Sequence, residues 1–134
     1  MIHLNIEALT ILSTLYVRDY KDCKGAQLIN LSSRGGYMMV PNAVTYCASK
    51  FYVSAFTEGL ALELEANKNQ LKAKVLAPAA TDSKEYDYDE HFAKYHTGKE
   101  MAQFLIKLYQ SDEVVGLVDV KNLEFHLCGP LFSH

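Results

Sequence analysis

Leu4, Ala8, Ile11, Leu12 and Leu15 recur every three to four residues near the start of the chain. That spacing predicts an amphipathic helix from Ile2 to about Tyr20. Ala26 to Leu31 is a short, mostly apolar run and predicts a strand. Ser32-Ser33-Arg34-Gly35-Gly36 ends it, because serine and glycine favour turns. Pro41-Asn42 then opens a helical stretch from Ala43 to about Asn67, with small residues (Ala48, Ser49, Ala55, Gly59) set among bulky ones. Leu71 to Leu76 predicts a second strand, ended by Pro78. Asp82 to Thr97 reads as a polar, aromatic loop, and Lys99 to Gln110 as a helix with Met101, Phe104, Leu105 and Leu108 on its buried stripe. Leu123 to Leu127 predicts a last strand, stopped by Gly129-Pro130. The order α-β-α-β-α-β predicts an α/β fold whose parallel strands are joined by right-handed crossovers. With no repeat, low-complexity tract or linker, residues 1–134 read as a single domain.

The chemistry concentrates after the first strand. Tyr46 and Lys50 lie four apart and so share one helix face. The same spacing recurs at Tyr20–Lys24 and Tyr95–Lys99, so spacing alone decides nothing. Context selects Tyr46: a buried strand, serines at its carboxyl end, a loop, then a helix carrying Tyr and Lys in its first turns. Ligands of open α/β sheets sit at the carboxyl ends of strands. By contrast, Tyr20–Lys24 runs off a helix end beside Gly25, and Tyr95–Lys99 straddles Gly98. A lysine ammonium one helical turn from a phenol favours the phenolate, which suits proton exchange with a carbonyl or alcohol. The plainer reading of Tyr46 is a packed helical tyrosine, and that of Ser33 a turn-stabilising serine whose role Ser32 could equally fill.

Taken together, Asn30-Leu31-Ser32-Ser33, Gly36, Pro41, Tyr46-Cys47-Ala48-Ser49-Lys50 and Leu76-Ala77-Pro78 resemble the short-chain dehydrogenase/reductase family over nearly the whole chain. The resemblance implies a Rossmann-like, doubly wound three-layer fold and hydride transfer between NAD or NADP and a carbonyl or alcohol substrate. It puts Ser33 on the catalytic serine, Tyr46 on the general acid/base, Lys50 on the lysine that also binds the cofactor ribose, and Asn5 on the helical asparagine of the tetrad. Asn5 reads equally as a solvent-facing or locally bonded residue. Pro78-Ala79-Ala80-Thr81-Asp82-Ser83 resembles the segment that contacts the nicotinamide, with Ser83 in place of threonine and Ala79 in place of glycine. Tyr46, Lys50, Pro78 and Ser83 are the implied cofactor contacts.

Seven glycines (Gly25, Gly35, Gly36, Gly59, Gly98, Gly116, Gly129) supply no closely spaced Gly-rich turn of the kind that holds a dinucleotide, nor is there an Asn-Asn-Ala-Gly segment. The resemblance therefore implies the C-terminal half of such a domain, truncated at the N-terminus inside its fourth large helix. NAD and NADP are not distinguished, since the residues that read the adenosine ribose lie in the other half. The first strand is left with an open edge. In the resembling family the first two long helices pack against a second subunit, so a homodimer through residues 2–20 and 43–67 is expected. A dimerising remnant that no longer binds cofactor is the competing expectation.

Composition narrows the classes. A net charge of −3 and a pI near 5.9 give no electrostatic footing for nucleic acid or an anionic membrane, and no apolar run is long enough to span a bilayer. No leader pattern opens the chain. Cys23, Cys47 and Cys128, an odd count without Cys-x-x-Cys spacing, read as free thiols and suggest the cytoplasm. Cys47 reads as a small helical filler. His91 and His96 among the carboxylates of the 82–97 loop match no standard ligand spacing and read as part of a solvated loop, with no metal.

Overall fold

Alternation along two strands sorts the molecule into layers. The computed structural model describes residues 2–79, 96–119 and 121–133. A π-helical segment, His3–Ala8, runs directly into α1 (Leu9–Tyr20). Then follow β1 (Gln27–Leu31), a short 3-10 turn at Arg34–Gly36, α2 (Val44–Ala66), β2 (Lys72–Ala77), α3 (Gly98–Gln110), β3 (Val115–Val118) and β4 (Phe125–Cys128). The four strands form one sheet in the order β1-β2-β3-β4.

Side chains of a strand point to opposite faces in turn. Leu28 and Ala73, register partners, belong to one face, where a core of Leu64, Leu71 and Ala73 is packed by Tyr16, Val17 and Leu60 from α1 and α2. Asn30 is on that face too, donating to Ser13 Oγ of α1 and Thr57 Oγ1 of α2. Lys74, one residue beyond Ala73, points the other way and donates to the carbonyls of Leu108, Tyr109 and Ser111 at the end of α3. Gly116, register partner of Leu76, also faces Leu108. So α1 and α2 cover one face and α3 the other, giving the three layers expected.

Three features depart from expectation. β3 is an additional strand, parallel to β2 through Val75↔Val115. The final strand pairs antiparallel with β3, through Val115↔Cys128 to Val118↔Phe125, so the sheet is mostly rather than wholly parallel. A tight connection explains this: Leu123 N donates to Asp119 O and Asp119 N to Glu124 O, closing a hairpin too short for a crossover. Finally, β1–α2–β2 and β2–α3–β3 step in the same direction on opposite faces. The two crossovers therefore differ in hand, and uniformly right-handed connections are not found.

α3 starts with a capping box, Thr97 Oγ1 accepting from Glu100 N while the Glu100 carboxylate accepts from Thr97 N. Gly98 is therefore a first-turn residue, not a helix interior. His96 is not solvated: its ring packs edge-on against Phe104 and bonds Glu100 Oε2 at 2.9 Å and Leu123 O at 2.6 Å. His91 and the rest of that predicted loop before residue 96 lie outside the described residues. Among the described residues no group of three metal-ligating side chains occurs, and no helix is long and apolar enough to cross a membrane.

Candidate active site

β1 ends at Leu31, and the chain turns over the carboxyl edge of the sheet. Ser32 N donates to Leu76 O and Arg34 N to Pro78 O, so the turn stays laced to the end of β2. This brings Pro78 to the same edge as the serines. The two serines divide the work. Ser32 is buried, with its Oγ 2.6 Å from Ser54 Oγ and donating to Lys50 O. Ser33 is half-buried and caps the 3-10 turn by accepting from Gly35 N at 3.1 Å, which uses a lone pair rather than the hydroxyl proton.

Gly36 makes this packing possible. A β-carbon there would meet Ser32 Oγ at 2.2 Å, Ser54 Oγ at 2.5 Å and Lys50 O at 2.8 Å. The loop thus lies directly on the first turns of α2. A β-carbon on Gly35 would sit 3.4 Å from the Tyr46 ring, 3.4 Å from Cys47 Sγ and 3.6 Å from Ser33 Oγ. Ser33 and Tyr46 therefore converge on one glycine from two sides, while Cys47 fills the space beneath, fully buried. Tyr46 is 37% exposed at this edge.

Lys50 follows one turn later, its Nζ 6.0 Å from the centre of the Tyr46 ring and 3.4 Å from Leu31 O. Burial holds its pKa below the usual lysine value. Asn5 lies in the π-helical segment and donates to Ser49 Oγ at 3.1 Å, and Ser49 donates to the Tyr46 carbonyl at 2.8 Å. Asn5 is thus bonded across to α2, not solvent-facing. Short π segments often mark functional sites. Ser33, Tyr46, Lys50, Asn5 and Pro78 are gathered at one edge, while Ser83 falls outside the described residues. Ser49 is a link that sequence reading missed, because its hydroxyl acts across two helices. Groups at this edge fit the nicotinamide and ribose end of a dinucleotide: an exposed phenol and a cation beside it at the carboxyl ends of parallel strands.

A profile of the short chain dehydrogenase family matches residues 1–91. The chain belongs to that family. It is 30% identical over 88 residues to an uncharacterised oxidoreductase of Staphylococcus saprophyticus, covering 66% of this chain and 33% of that one. It is 27% identical over 103 residues to mouse 15-hydroxyprostaglandin dehydrogenase [NAD(+)], covering 75% and 38%. The fold is similar to that of 3-ketoacyl-(acyl-carrier-protein) reductase from Brucella melitensis complexed with NADH, with a TM-score of 0.70, 19% identity and coverage of 81% and 48%. The chain spans about a third of the length of the curated relatives it matches. For a short-chain dehydrogenase the strand–serine–loop–tyrosine order is the expected one. Tyr20–Lys24 has no such setting, since α1 ends at Tyr20.

Proposed function

We propose that this chain is the C-terminal half of an NAD(P)-dependent oxidoreductase domain that moves hydride between a nicotinamide cofactor and a carbonyl or alcohol. The observation that carries the reading is the convergence of Ser33 Oγ and the Tyr46 ring on Gly35, with Lys50 one helical turn below. Tyr46 is the general acid in reduction and the general base in oxidation. Ser33 donates its hydroxyl proton to the substrate oxygen and orients it. Lys50, held half-buried beside the ring, favours the phenolate and reaches the ribose hydroxyls. Asn5, through Ser49, fixes the turn that carries Tyr46. Pro78 lines the nicotinamide side, and Ser83 is assigned to it by the resemblance alone. Bound cofactor supplies or accepts the hydride. The names of one relative, with NAD(+), and of two proteins of similar fold, one with NADH and one with NADPH bound, support a nicotinamide cofactor and leave NAD and NADP undistinguished.

Exposed apolar side chains on the π segment, α1 and α2, including Leu4 at 74%, Leu12 at 67% and Val44 at 67%, support a homodimer through residues 2–20 and 43–67. They equally favour a second reading, a dimerising module without turnover. Titration of the purified chain with NADH and NADPH by calorimetry separates the two. Saturable binding supports the enzyme, and turnover that survives Tyr46→Phe refutes the assigned acid/base. No binding up to millimolar cofactor means that the chain by itself is an incomplete half, and leaves the dimer module as the reading of this chain alone.

A further inference from the structure

Helix α2 carries a second stripe, beside the Tyr46–Lys50 row. Cys47, Phe51, Ser54 and Glu58 are spaced by four, three and four residues and so line one stripe. Cys47 lies under Gly35, Ser54 meets Ser32, and Phe51 packs against Phe132 with ring centres 6.1 Å apart. Glu58 ends the stripe and is 4% exposed. A carboxylate buried that deeply in a helix needs donors, and it has three. Tyr37 donates to Oε2 at 2.5 Å, and the backbone N–H groups of Leu131 and Phe132 donate to Oε1 at 2.8 and 3.1 Å. The Tyr37 ring stacks on Phe132 with centres 5.3 Å apart. Consistent with this burial and its bond to a carboxylate, the Tyr37 phenol is held well above its ordinary range.

Tyr37 directly follows the turn whose Gly35 and Gly36 are pressed onto α2. We propose that the C-terminal segment at Leu131–Phe132 is a strap that clamps the Ser33–Tyr37 loop onto α2, with Glu58 as its anchor and hence a positioning residue for Ser33 against Tyr46. Residues from three distant stretches of sequence meet in that clamp: the loop at 37, the helix at 58 and the tail at 131–132. The hold on the loop stands on geometry alone. The positioning role rests on the reading of Ser33 and Tyr46 as the reacting pair.

Cys47 is a built-in reporter, being fully buried beneath the loop while Cys23 is exposed. Its alkylation is measured by peptide-resolved mass spectrometry in the folded 134-residue chain. Glu58→Ala leaves three donors without their acceptor, and Phe132→Ala removes the stacked ring while keeping its N–H. Each is expected to speed Cys47 labelling roughly tenfold or more. Glu58→Gln keeps an oxygen for both amides and can donate to a rotated Tyr37 hydroxyl, so it restores labelling to near the parent rate. Leu64→Ala, a cavity in the core at the far end of α2, controls for global opening and is expected to leave the native rate unchanged. Labelling of Cys47 no faster in Glu58→Ala and Phe132→Ala than in the parent overturns the strap, as does an equal rise in Leu64→Ala. These readouts need no turnover. If the chain does turn over, kcat should fall in Glu58→Ala and return in Glu58→Gln with KM little changed, and an unaltered kcat removes the positioning role while leaving the strap to the labelling result.

Discussion

Two lysines sit at opposite faces of the same sheet, Lys74 buried and Lys50 half-buried, and they lose solvent for opposite reasons. Lys74 is 3% exposed on β2, and its ammonium donates to three carbonyls, those of Leu108 at 2.9 Å, Tyr109 at 3.2 Å and Ser111 at 2.6 Å. All three donors of the ammonium are matched, at the negative end of a helix dipole. Lys50 on α2 has one long contact, 3.4 Å to Leu31 O, with its ammonium 6.0 Å from the centre of the Tyr46 ring. Burial lowers both pKa values, with Asp112 opposing the effect at Lys74. The difference is one of saturation: Lys74 is consumed by structure, whereas Lys50 retains donor capacity beside an exposed phenol. A desolvated cation with spare donors at a strand's carboxyl end is what chemistry requires, and it should be of little use to stability.

The strongest way to break the comparison is at the loop that shelters Lys50. If the site is rigid because the backbone packs closely, and not because of the lysine, Gly36→Ala should be the most damaging change. Its β-carbon would fall 2.8 Å from the Lys50 carbonyl, a backbone atom, as well as against two serine hydroxyls. A loss of about 3 kcal/mol in urea unfolding is expected, and a loss below about 0.5 kcal/mol would mean that the loop yields freely.

Lys74→Met comes next. It removes a charged donor from three carbonyls at the end of α3, of which Leu108 O keeps Ser111 N and Oγ and Tyr109 O keeps Gln27 Nε2, while relieving the burial of a charge. A loss of about 2 kcal/mol follows, by the value of bonds from charged donors. Lys50→Met should fall within about 1 kcal/mol of the parent in the same assay, because little partnering is lost, while any nicotinamide-dependent turnover collapses. Equal losses for the two variants would erase the distinction between them.

How much of this could be read in advance follows the range of the interaction. α2 and β2 were legible almost to their ends, because periodicity is local, and so was the Tyr46–Lys50 row, because a turn of helix is local. Ser33 was preferred over Ser32 only by resemblance, and which of the two is buried, Ser32 against Ser54, depends on a contact 22 residues away. β3 was missed because Gly116 interrupts its Val-Val-Gly-Leu-Val run. In the fold that glycine admits the Phe125 ring, which would stand 2.9 Å from a β-carbon. The run and the turn residues Asp119 and Asn122 together were a hairpin signal. The anchoring of Lys74 and Glu58 was not legible at all. Each stands in an element with other charged residues, Lys72 in β2 and Lys50, Glu63 and Glu65 in α2, so nothing local sets it apart, and its partners lie 34 to 37 and 21 to 74 residues away. The π-helical register at His3–Ala8 leaves the apolar spacing almost unchanged, so the bond from Asn5 to Ser49 emerged only with coordinates.

The smallest expected effect sharpens the comparison through pH. Lys50 has a folded pKa below its ordinary value of 10.5 because burial disfavours its charge. Below that depressed pKa both states are protonated and the full cost of the buried charge is present. As pH rises from the depressed value towards 10.5, the folded form gives up its proton first. The unfolded form then holds more protons, and stability rises with pH. Lys50→Met lacks this contribution, so its stability relative to the parent should be most favourable near neutrality and should decline as pH approaches 10.5. Lys74 is present in both proteins and cancels in the difference. Tyr37 cancels likewise: its raised pKa contributes stability that is present below pH 10 and lost above it, equally in both. Urea unfolding of the two proteins in parallel from pH 7 to 10 measures the gap. A gap that stays flat across that range would mean that Lys50 is solvated in the folded chain and differs from a surface lysine in no way that matters to the site.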